Sequence, residues 1–537
     1  MANTTKGVLV LAVDVGSTSA RAGVFDLQGH MLATAGAPFE VHRPQADHAE
    51  HDSEQIWQAV GMAVRAAVRT SGREPTAIGG LAFDATCSLV LLDKAGQQVT
   101  VSSTGENRWN VVMWADHRAG AEAHTITATG HQALDYVGGT VSPEMELPKL
   151  MWLQRHLPQA WARYAQAMDL ADFLTWRATD VVGASACTLT CKWAYLNHAT
   201  PGWQQDLMDS IGLAGMPQRL GLPAQASQVG GMAGRLSAAT ARAWGLTAGI
   251  AVGVPMIDAH AGALGVLGCT PPQALNQRMA LIAGTSNCHM ALSREARSVP
   301  GVWGPYFGAV LPGWWLNEGG QSASGALLDH VLASHAMTRE LGDDPHTKIA
   351  QILLERRSTA GPGFAQDLLM VPDHHGNRAP LARSDVRGML HGLDLNHSIE
   401  GLARLYHAAA SGIAYGTRHI IDALNARGYR ITHLHLTGGH AKSPLLVRLY
   451  ANATACEVVL PREDDGVLLG TAQLAATAAG HFGDLLAAGQ AMVHSSAQVA
   501  PEPEARAIHA RGYAAFRHML QLRQQVMDIL QGTNPVG

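Results

Sequence analysis

The chain opens on a block of apolar residues that ends in an acid. Residues 8–13 are apolar almost without a break and lead into Asp14, which predicts a strand that is buried on both faces. Residues 16–19 are glycine, serine and threonine, and residues 22–25 are apolar again. The pattern therefore predicts a strand, a glycine-containing turn and a returning strand.

This turn has the composition of a phosphate-binding loop. Glycine lets the backbone approach a ligand closely, and the hydroxyls of Ser17 and Thr18 add donors to the backbone N–H groups. Arg21 offers positive charge to a transferring phosphate, and Asp14 suits a hydrated Mg²⁺ ion. An ordinary hairpin with a polar tip has the same local pattern, so the rest of the chain must distinguish the two interpretations.

The same pattern returns in the middle of the chain. Residues 279–283 are apolar, Gly284, Thr285 and Ser286 follow, and residues 289–292 are apolar again. This predicts an internal repeat in which two related halves each contribute one turn to phosphates held between them. A further glycine turn, residues 437–444, follows a short apolar strand and opens a helix, which suits close approach of a flat base or a phosphate.

Two other apolar runs also end in acids. Residues 78–83 lead into Asp84, and residues 111–114 lead into Asp116. We expect these strands and the first strand to end at one edge of a sheet, where open α/β sheets bind ligands. The pattern predicts helices at residues 148–156, 160–167, 399–425 and 466–479, followed by a charged amphipathic tail at residues 502–530.

Asp258 lies where an apolar strand gives way to a helix. The helix N-terminus is expected to help keep its carboxyl ionised, and an ionised carboxylate can act as a general base when a substrate hydroxyl is within reach. A plain helix cap has the same local sequence. Lys192 stands beside Trp193 among small residues, which favours a lined cleft weakly over an ordinary surface lysine.

Length and composition narrow the class of protein. A chain of 537 residues predicts two or three domains. The net charge of −5 comes with no basic cluster, so we expect neither nucleic acid nor a membrane as a partner. The apolar runs are too short to span a bilayer, and the start of the chain lacks a signal-peptide core, which predicts the cytoplasm.

The six cysteines are scattered along the chain. Cys187 and Cys191 are four residues apart, but the sequence offers no second cysteine pair and no suitably spaced histidine pair to complete a zinc site. The cysteines are therefore predicted to be free, buried thiols.

Four motifs in this order resemble the FGGY carbohydrate kinase family: DVGSTSAR at 14–21, DAHAG at 258–262, GTS at 284–286 and TGGHAKSP at 437–444. The resemblance covers residues 8 to 480. It implies an α/β fold of two actin-like (ribonuclease H-like) ATPase domains with the active site in the cleft between them. We expect a sugar- and phosphate-binding domain at 7–262 and an ATP-binding domain at 263–532.

The resemblance implies transfer of the γ-phosphoryl group of ATP, with Mg²⁺, to a hydroxyl of a small sugar or polyol. Asp258 would be the catalytic base and Asp14 would serve the metal. Contacts to the nucleotide and its phosphates are implied for Gly16, Ser17, Thr18, Arg21, Gly284, Thr285, Gly325, Gly438, Gly439 and Ser443. Contacts to the sugar are implied for Ala85, Lys192, Asp258 and Glu318, with Glu144 and Asp84 as second choices.

Several short stretches resemble the ribulokinase branch of this family, namely residues 83–90, 114–119, 191–193 and 317–325. Residues 86–90 and 375–378 are most similar to its D-ribulose kinases, which implies conversion of D-ribulose to D-ribulose 5-phosphate. Residues 84–86 depart from the order found in L-ribulose kinases, so ribitol, L-ribulose and xylulose stay open as substrates.

A non-catalytic, sugar-sensing regulator is the alternative of a different class. Regulators of this kind commonly carry an added DNA-binding helix-turn-helix, whereas here the first predicted strand begins close to the start of the sequence. The base and the metal-site acid of the kinase motifs are also both present, which favours the enzyme. A homodimer is a candidate assembly that the sequence does not decide.

Overall fold

The apolar run at the start of the chain forms a fully buried strand, Leu9–Val15. In this computed structural model, which describes residues 8–532, the strand pairs antiparallel with Ser19–Phe25 and parallel with Ile78–Ala85. The predicted hairpin is therefore present. Gly7, where the first domain was expected to begin, lies outside the described residues.

The strands of the N-terminal half form two sheets. In chain order they are β1 (Leu9–Val15), β2 (Ser19–Phe25), β3 (Met31–Pro38), β4 (Glu50–His51), β5 (Ile78–Ala85), β6 (Leu89–Leu92), β7 (Val111–Val112), β8 (Gln166–Asp169), β9 (Met232–Arg235), β10 (Ala251–Gly253) and β11 (Met256–Ile257). The large sheet has the order β3-β2-β1-β5-β10-β9, with β11 beside β5. The small sheet has the order β4-β7-β6-β8.

The strands of the C-terminal half repeat the large sheet. They are β12 (Arg278–Ala283), β13 (Asn287–Ser293), β14 (Trp303–Phe307), β15 (Trp315–Gln321), β16 (Leu369–Val371), β17 (Met389–His391), β18 (His433–Thr437), β19 (Glu457–Pro461) and β20 (Ser495–Val499). Seven form the order β14-β15-β13-β12-β18-β19-β20, and β16 pairs with β17. Both large sheets join a run of antiparallel strands, three in the N-terminal sheet and four in the C-terminal sheet, to parallel ones, as the predicted repeat requires.

Helices cover the sheets and join the two halves. They are α1 (Ser53–Ser71), α2 (Gly120–Ala128), α3 (Glu146–His156), α4 (Pro158–Trp161), α5 (Leu170–Thr179), α6 (Ala186–Lys192), α7 (Gln205–Ser210), α8 (Met216–Arg219), α9 (Ala238–Trp244), α10 (Asp258–Leu267), α11 (Gly325–Ser334), α12 (Pro345–Ala360), α13 (Ile399–Asn425), α14 (Pro444–Thr454), α15 (Gly466–Ala478), α16 (Leu485–Met492) and α17 (Pro503–Leu530). Within residues 8–532 none of these helices is long and apolar enough to cross a membrane.

Two of the sequence predictions are wrong in this region. Residues 160–167 do not form one helix: α4 ends at Trp161, and β8 pairs with β6 instead. The strand predicted at 111–114 is only two residues long and belongs to the small sheet. Asp116 is consequently buried in an ion pair with Arg118 and does not share the edge of the large sheet.

Helices α10 and α15 are exchanged between the halves. α10 packs on β12 and β18 of the C-terminal sheet, whereas α15 packs on β1 and β5 of the N-terminal sheet. The two helices also touch each other through their backbones, because a Cβ atom on Gly265 would lie 1.8 Å from the carbonyl oxygen of Gly466. A Cβ atom on Gly470 would lie equally close to the carbonyl of Ala261. One apolar core therefore runs through both halves.

Candidate active site in the cleft between the halves

A cavity of about 250 Å³ lies where the two halves meet. Both large sheets direct a turn toward it, and the start of α10 forms part of its wall. The cavity brings together ten of the residues that the sequence singled out: Asp14, Gly16, Ser17, Arg21, Glu144, Lys192, Asp258, Gly284, Thr285 and Glu318.

Seven predicted residues, all in the described part of the chain, lie outside this lining: Thr18, Asp84, Ala85, Gly325, Gly438, Gly439 and Ser443. Asp84 and Ala85 end β5, where Asp84 is the cross-strand neighbour of Asp14. Thr18 follows Ser17 in the chain and is exposed. These three residues are therefore neighbours of lining residues, either across the sheet or along the chain.

The glycines predicted to contact adenosine support the turn at residues 284–286. The N–H group of Gly325 donates to the carbonyl of Gly284 at 3.0 Å. Gly438 has φ +90°, and a Cβ atom there would lie 2.4 Å from the carbonyl oxygen of Ala283, so this position needs glycine. Gly439 begins a short 3₁₀-helix, and Ser443 caps α14. All four belong to the C-terminal half, and the three glycines lie against Ala283 or Gly284.

The two glycine turns leave backbone donors unused. We call residues 16–18 the first turn and residues 284–286 the second turn. Gly16 and Gly284 each donate a backbone hydrogen bond of 3.0 Å across their own turn. The N–H groups of the other turn residues make no hydrogen bond to any group within residues 8–532. Two sets of free donors thus meet at one cavity, which is the arrangement that phosphate oxygens require.

Three carboxyls meet at the ends of β1 and β5 and the start of α10. Asp14 is buried, and burial raises its pKa although Arg21 opposes the shift. Burial and the neighbouring Asp14 raise the pKa of Asp84 well above its usual value. One Asp84 oxygen accepts a hydrogen bond from Thr471, and the other has no hydrogen-bond partner among the described residues. Crowded carboxyls with unused oxygens fit a hard divalent cation such as Mg²⁺.

Arg21 connects the two halves beside this cluster. Its guanidinium forms an ion pair with Asp14 and, at 3.0 Å, a second one with Asp465 of the C-terminal half. Asp465 also caps α15, where it accepts a hydrogen bond from the N–H group of Leu468. The sequence analysis did not identify Asp465, because its partner lies more than four hundred residues away.

Asp258 is the first residue of α10 and faces the cavity. Its Oδ1 atom accepts a hydrogen bond of 2.7 Å from the N–H group of Ala259. Burial, followed by the charge of Asp14, raises the pKa of Asp258 to about 7. Burial therefore outweighs the expected effect of the helix N-terminus, which favours the ionised form. A carboxyl with a pKa near neutrality is suited to proton transfer.

Lys192 and Glu318 also line the cavity. The Nζ atom of Lys192 lies 4.6 Å from the centroid of the Trp303 ring, and the side chain is buried. Burial disfavours its charged form, yet neighbouring groups including Glu318 raise its pKa above the usual value. Burial likewise raises the pKa of Glu318 against the opposing charge of Lys192. A buried cation and a carboxyl supply the polar contacts that fix a small polyhydroxy ligand.

Cys187, Cys191 and His260 form a buried group behind this wall. Their potential ligand atoms all lie within 4.8 Å of one another, and the Sγ atom of Cys191 is 3.3 Å from Nε2 of His260. Burial raises the pKa of the Cys191 thiol well above its usual value and lowers that of His260 to about 3. Cys191 and His260 are therefore a neutral thiol–imidazole pair, a contact that the cysteine spacing alone did not reveal.

The comparisons with known proteins agree with this arrangement. The family models for the N-terminal and C-terminal domains of the FGGY family of carbohydrate kinases match residues 9–265 and 279–479. The chain belongs to the FGGY family of carbohydrate kinases. It is thus a carbohydrate kinase of the class that uses ATP as its phosphate donor, and the resemblance inferred from the four motifs is confirmed.

Several relatives of this kinase cover nearly all of the chain. An FGGY carbohydrate kinase domain-containing protein of Danio rerio is 43% identical to it, in an alignment that spans 97% of this chain and 99% of the relative. The protein of the same description from Homo sapiens is 41% identical, over 97% of this chain and 97% of the relative. A D-ribulokinase of Saccharomyces cerevisiae is 34% identical over 88% of the chain and 72% of that protein. The crystal structure of a xylulose kinase from Rhodospirillum rubrum, at 22% identity, has a TM-score of 0.79 and covers 96% of this chain and 99% of its own. That likeness confirms the two-domain fold.

Proposed function

We propose that this kinase phosphorylates the terminal hydroxyl of a ketopentose, most specifically converting D-ribulose to D-ribulose 5-phosphate. The observation that carries the proposal is that Asp258, residues of both glycine turns, Lys192 and Glu318 all line one cavity. One cavity is thus lined by a candidate proton acceptor, by two turns with free backbone donors, and by a lysine and a glutamate that can bind sugar hydroxyls. The division of the chain near residues 262 and 263, which falls inside α10, stays a prediction.

Asp258 would act as the general base. Its carboxylate would accept the proton of the sugar hydroxyl as that oxygen bonds to the γ-phosphorus and the bond from that phosphorus to the ADP oxygen breaks. The free N–H groups of both turns, with Arg21, would hold the phosphate oxygens in line with the hydroxyl. Lys192 and Glu318 would orient the sugar through its remaining oxygens. Bound Mg²⁺, held through Asp14 with Asp84 behind it, would neutralise charge on the transferring group.

Gly438, Gly439 and Ser443 would contact the nucleoside, with Gly325 beside the second turn. They belong to the C-terminal half but not to the cavity lining, which suits the part of ATP that is remote from the transferring phosphate. Ala85 and Glu144 would complete the sugar side of the site, and Asp84, the other second choice for the sugar, would instead support the metal site behind Asp14.

The choice of D-ribulose rests on the yeast relative. The D-ribulokinase of Saccharomyces cerevisiae is more similar to this chain, at 34% identity, than a ribulokinase of Geobacillus thermodenitrificans, at 27% over a comparable share of the chain. Residues 86–90 and 375–378 favour the same sugar. Ribitol, L-ribulose and xylulose are the alternatives that the assay has to separate.

The test is a coupled ADP-release assay with Mg²⁺ and ATP across D-ribulose, L-ribulose, D-xylulose, L-xylulose, ribitol and glycerol. We expect kcat/KM to be highest for D-ribulose. A clear preference for another sugar would overturn the assignment of D-ribulose as the substrate, but not the assignment of kinase activity. If none of the six compounds causes ADP release although the protein still binds sugar, the result would instead favour the sugar-sensing regulator.

The role of Asp258 has a separate test. Asp258→Asn should lower kcat by about 10² to 10⁴-fold, the usual contribution of a general base, while the sugar Kd from calorimetry changes little. Asp343→Asn, the same change at an exposed acid, is the matched control and should leave kcat unchanged. A kcat within threefold of the parent protein for Asp258→Asn would remove Asp258 from the mechanism.

A further inference from the structure

Arg378 reaches across the cleft between the two halves. It lies in the segment between β16 and β17 of the C-terminal half, and its Nη2 atom donates a hydrogen bond of 2.9 Å to Oε1 of Glu144 in the N-terminal half. Both side chains are largely buried. Burial alone would oppose ionisation of Glu144, but Arg378, Lys192 and His117 together outweigh it, and the pKa of Glu144 lies below its usual value.

The surroundings hold the Arg378 side chain in place. Its guanidinium carbon lies 5.4 Å from the centroid of the Trp303 ring and 5.9 Å from that of Trp114. Gly320 provides the room for its aliphatic part, because a Cβ atom there would lie 2.5 Å from Cδ of Arg378. Two aromatic rings, a glycine and a carboxylate thus fix one guanidinium, which limits the entropy lost when it binds a further group.

Most of the donors of this guanidinium are unused. An arginine offers five N–H groups, and the bond to Glu144 is the single hydrogen bond that Arg378 makes with the described residues. Arg378 also lines the same cavity as Asp258, Lys192 and Glu318. A buried cation with free donors at a polar cavity calls for an oxygen-rich ligand.

We propose that Arg378 binds the sugar directly, donating hydrogen bonds to its carbonyl or hydroxyl oxygens, and that its ion pair with Glu144 couples sugar binding to closure of the cleft. The inference rests on the proposed function and adds a residue that the sequence analysis did not assign. Arg21 and Asp465 join the halves at the phosphate end of the cavity. Arg378 and Glu144 would do so at the sugar end.

A merely structural role makes different predictions from a sugar-binding role. If Arg378 only joined two segments of chain, its loss would lower the melting temperature and weaken sugar and ATP binding together. If it binds the sugar, its loss should weaken sugar binding selectively. Calorimetric Kd values for sugar and for ATP, measured separately, distinguish the two roles without relying on turnover.

The experiment compares Arg378→Met, Arg378→Lys and Glu144→Gln with the parent protein. The control is Arg73→Met, the same change at an exposed arginine. The probe is the sugar of the assay panel that gives the highest kcat/KM. For Arg378→Met we expect the sugar Kd to rise about 10- to 100-fold, as for lost hydrogen bonds to a charged group, and the ATP Kd to change less than threefold.

Arg378→Lys keeps the charge and should recover part of the sugar affinity. Glu144→Gln should weaken sugar binding less than Arg378→Met does, because the guanidinium remains. Sugar-dependent compaction, followed by small-angle X-ray scattering, should be present in the parent and in Arg73→Met and be reduced in Glu144→Gln.

An unchanged sugar Kd in folded Arg378→Met would overturn the proposal, as would equal weakening of sugar and ATP binding. If Arg378→Met does not fold, the sugar Kd of Arg378→Lys decides on the same criteria. A panel preference for a sugar other than D-ribulose would overturn the proposed substrate alone, since these binding measurements use whichever sugar is preferred.

Discussion

The two glycine turns have the same backbone setting and different chemistry. At the second residue pair from the first turn, β1 and β2 pair Asp14 with Arg21. At the corresponding step inside the second turn, β12 and β13 pair Ile282 with Cys288. An acid and a base in one half therefore stand where the other half has an aliphatic side chain and a thiol.

The neighbouring parallel strand shows the same contrast. Asp84 of β5 lies beside Asp14, whereas Thr437 of β18 lies beside Ile282. The backbone arrangement is thus present twice, but the acid–base pair beside the turn is present once. We infer that, at the two turns, the N-terminal half supplies the charged groups and the C-terminal half supplies mainly backbone donors.

The largest expected effect on kcat in this comparison comes from removing the charge at Asp14, which is equivalent in position to Ile282. Asp14→Asn should lower kcat by about 10² to 10³-fold, the scale for removing a preorganised electrostatic contact at a reacting centre. Ile282→Val, at the equivalent position, should change kcat less than threefold. Steady-state kinetics over a series of Mg²⁺ concentrations measures both variants. Comparable losses in the two would show that the halves share the charge chemistry.

The second comparison concerns the partner strand of each turn. Arg21→Met should raise the ATP KM by about 10- to 100-fold, because hydrogen bonds from a charged group are lost. Cys288→Ser should leave the ATP KM within threefold of the parent. The ATP KM at saturating sugar is the measurement, and a larger effect at Cys288 than at Arg21 contradicts the assignment of phosphate charge to the first turn.

The pH dependence follows from the raised pKa of Asp258, whose value of about 7 reflects burial and the charge of Asp14, with Lys192 opposing the shift. A general base works in its deprotonated form, so activity should be lost as the pH falls through this pKa. Between pH 8 and pH 6 we expect kcat/KM for the sugar to decrease about tenfold.

The residual activity of Asp258→Asn provides the control for the pH profile, since it lacks the titrating carboxyl and should be nearly flat over this range. If the parent and the variant share one profile, another group is responsible for the pH dependence. That result would mean that the general base is a residue other than Asp258.

The smallest effects should be equal in the two halves. A Cβ atom on Gly16 would lie 3.7 Å from its nearest contact, the carbonyl oxygen of Ser19, and one on Gly284 would lie 4.0 Å from that of Ser286. Both alanine variants should therefore fold. Each should raise the ATP KM about three- to tenfold by weakening hydrogen bonds to phosphate. If only one of the two alanine variants raised the ATP KM, the two turns would not contribute equally to phosphate binding.

The sequence predicted best those features that depend on neighbouring residues. The bounds of α13 match the predicted helix, because its apolar spacing is regular and Ser398 caps its start. The two hairpins with their turns are equally local, and so is the position of Asp258 at the start of α10. A strand of two residues such as β7 carries too little pattern to show which sheet it joins.

Contacts between segments that are far apart in the chain could not be predicted from the sequence. The partners Arg378 and Glu144 are 234 residues apart, and Cys191 and His260 are 69 apart. Such pairs form because the topology brings distant segments of the chain together, and periodicity carries no information about that. The motif containing Arg378 was noted for its similarity to D-ribulose kinases, but its direction across the cleft required coordinates.

The exchange of α10 and α15 described above affects how the chain can be divided. Each helix covers the sheet of the opposite half, and Gly80 of β5 leaves room for the backbone of α15 at Ala475. A fragment that ended between the halves would leave a sheet with one bare apolar face, which promotes association. The two fragments would have to bind each other to cover these apolar faces, so we expect the two halves of the intact chain to unfold together rather than one after the other.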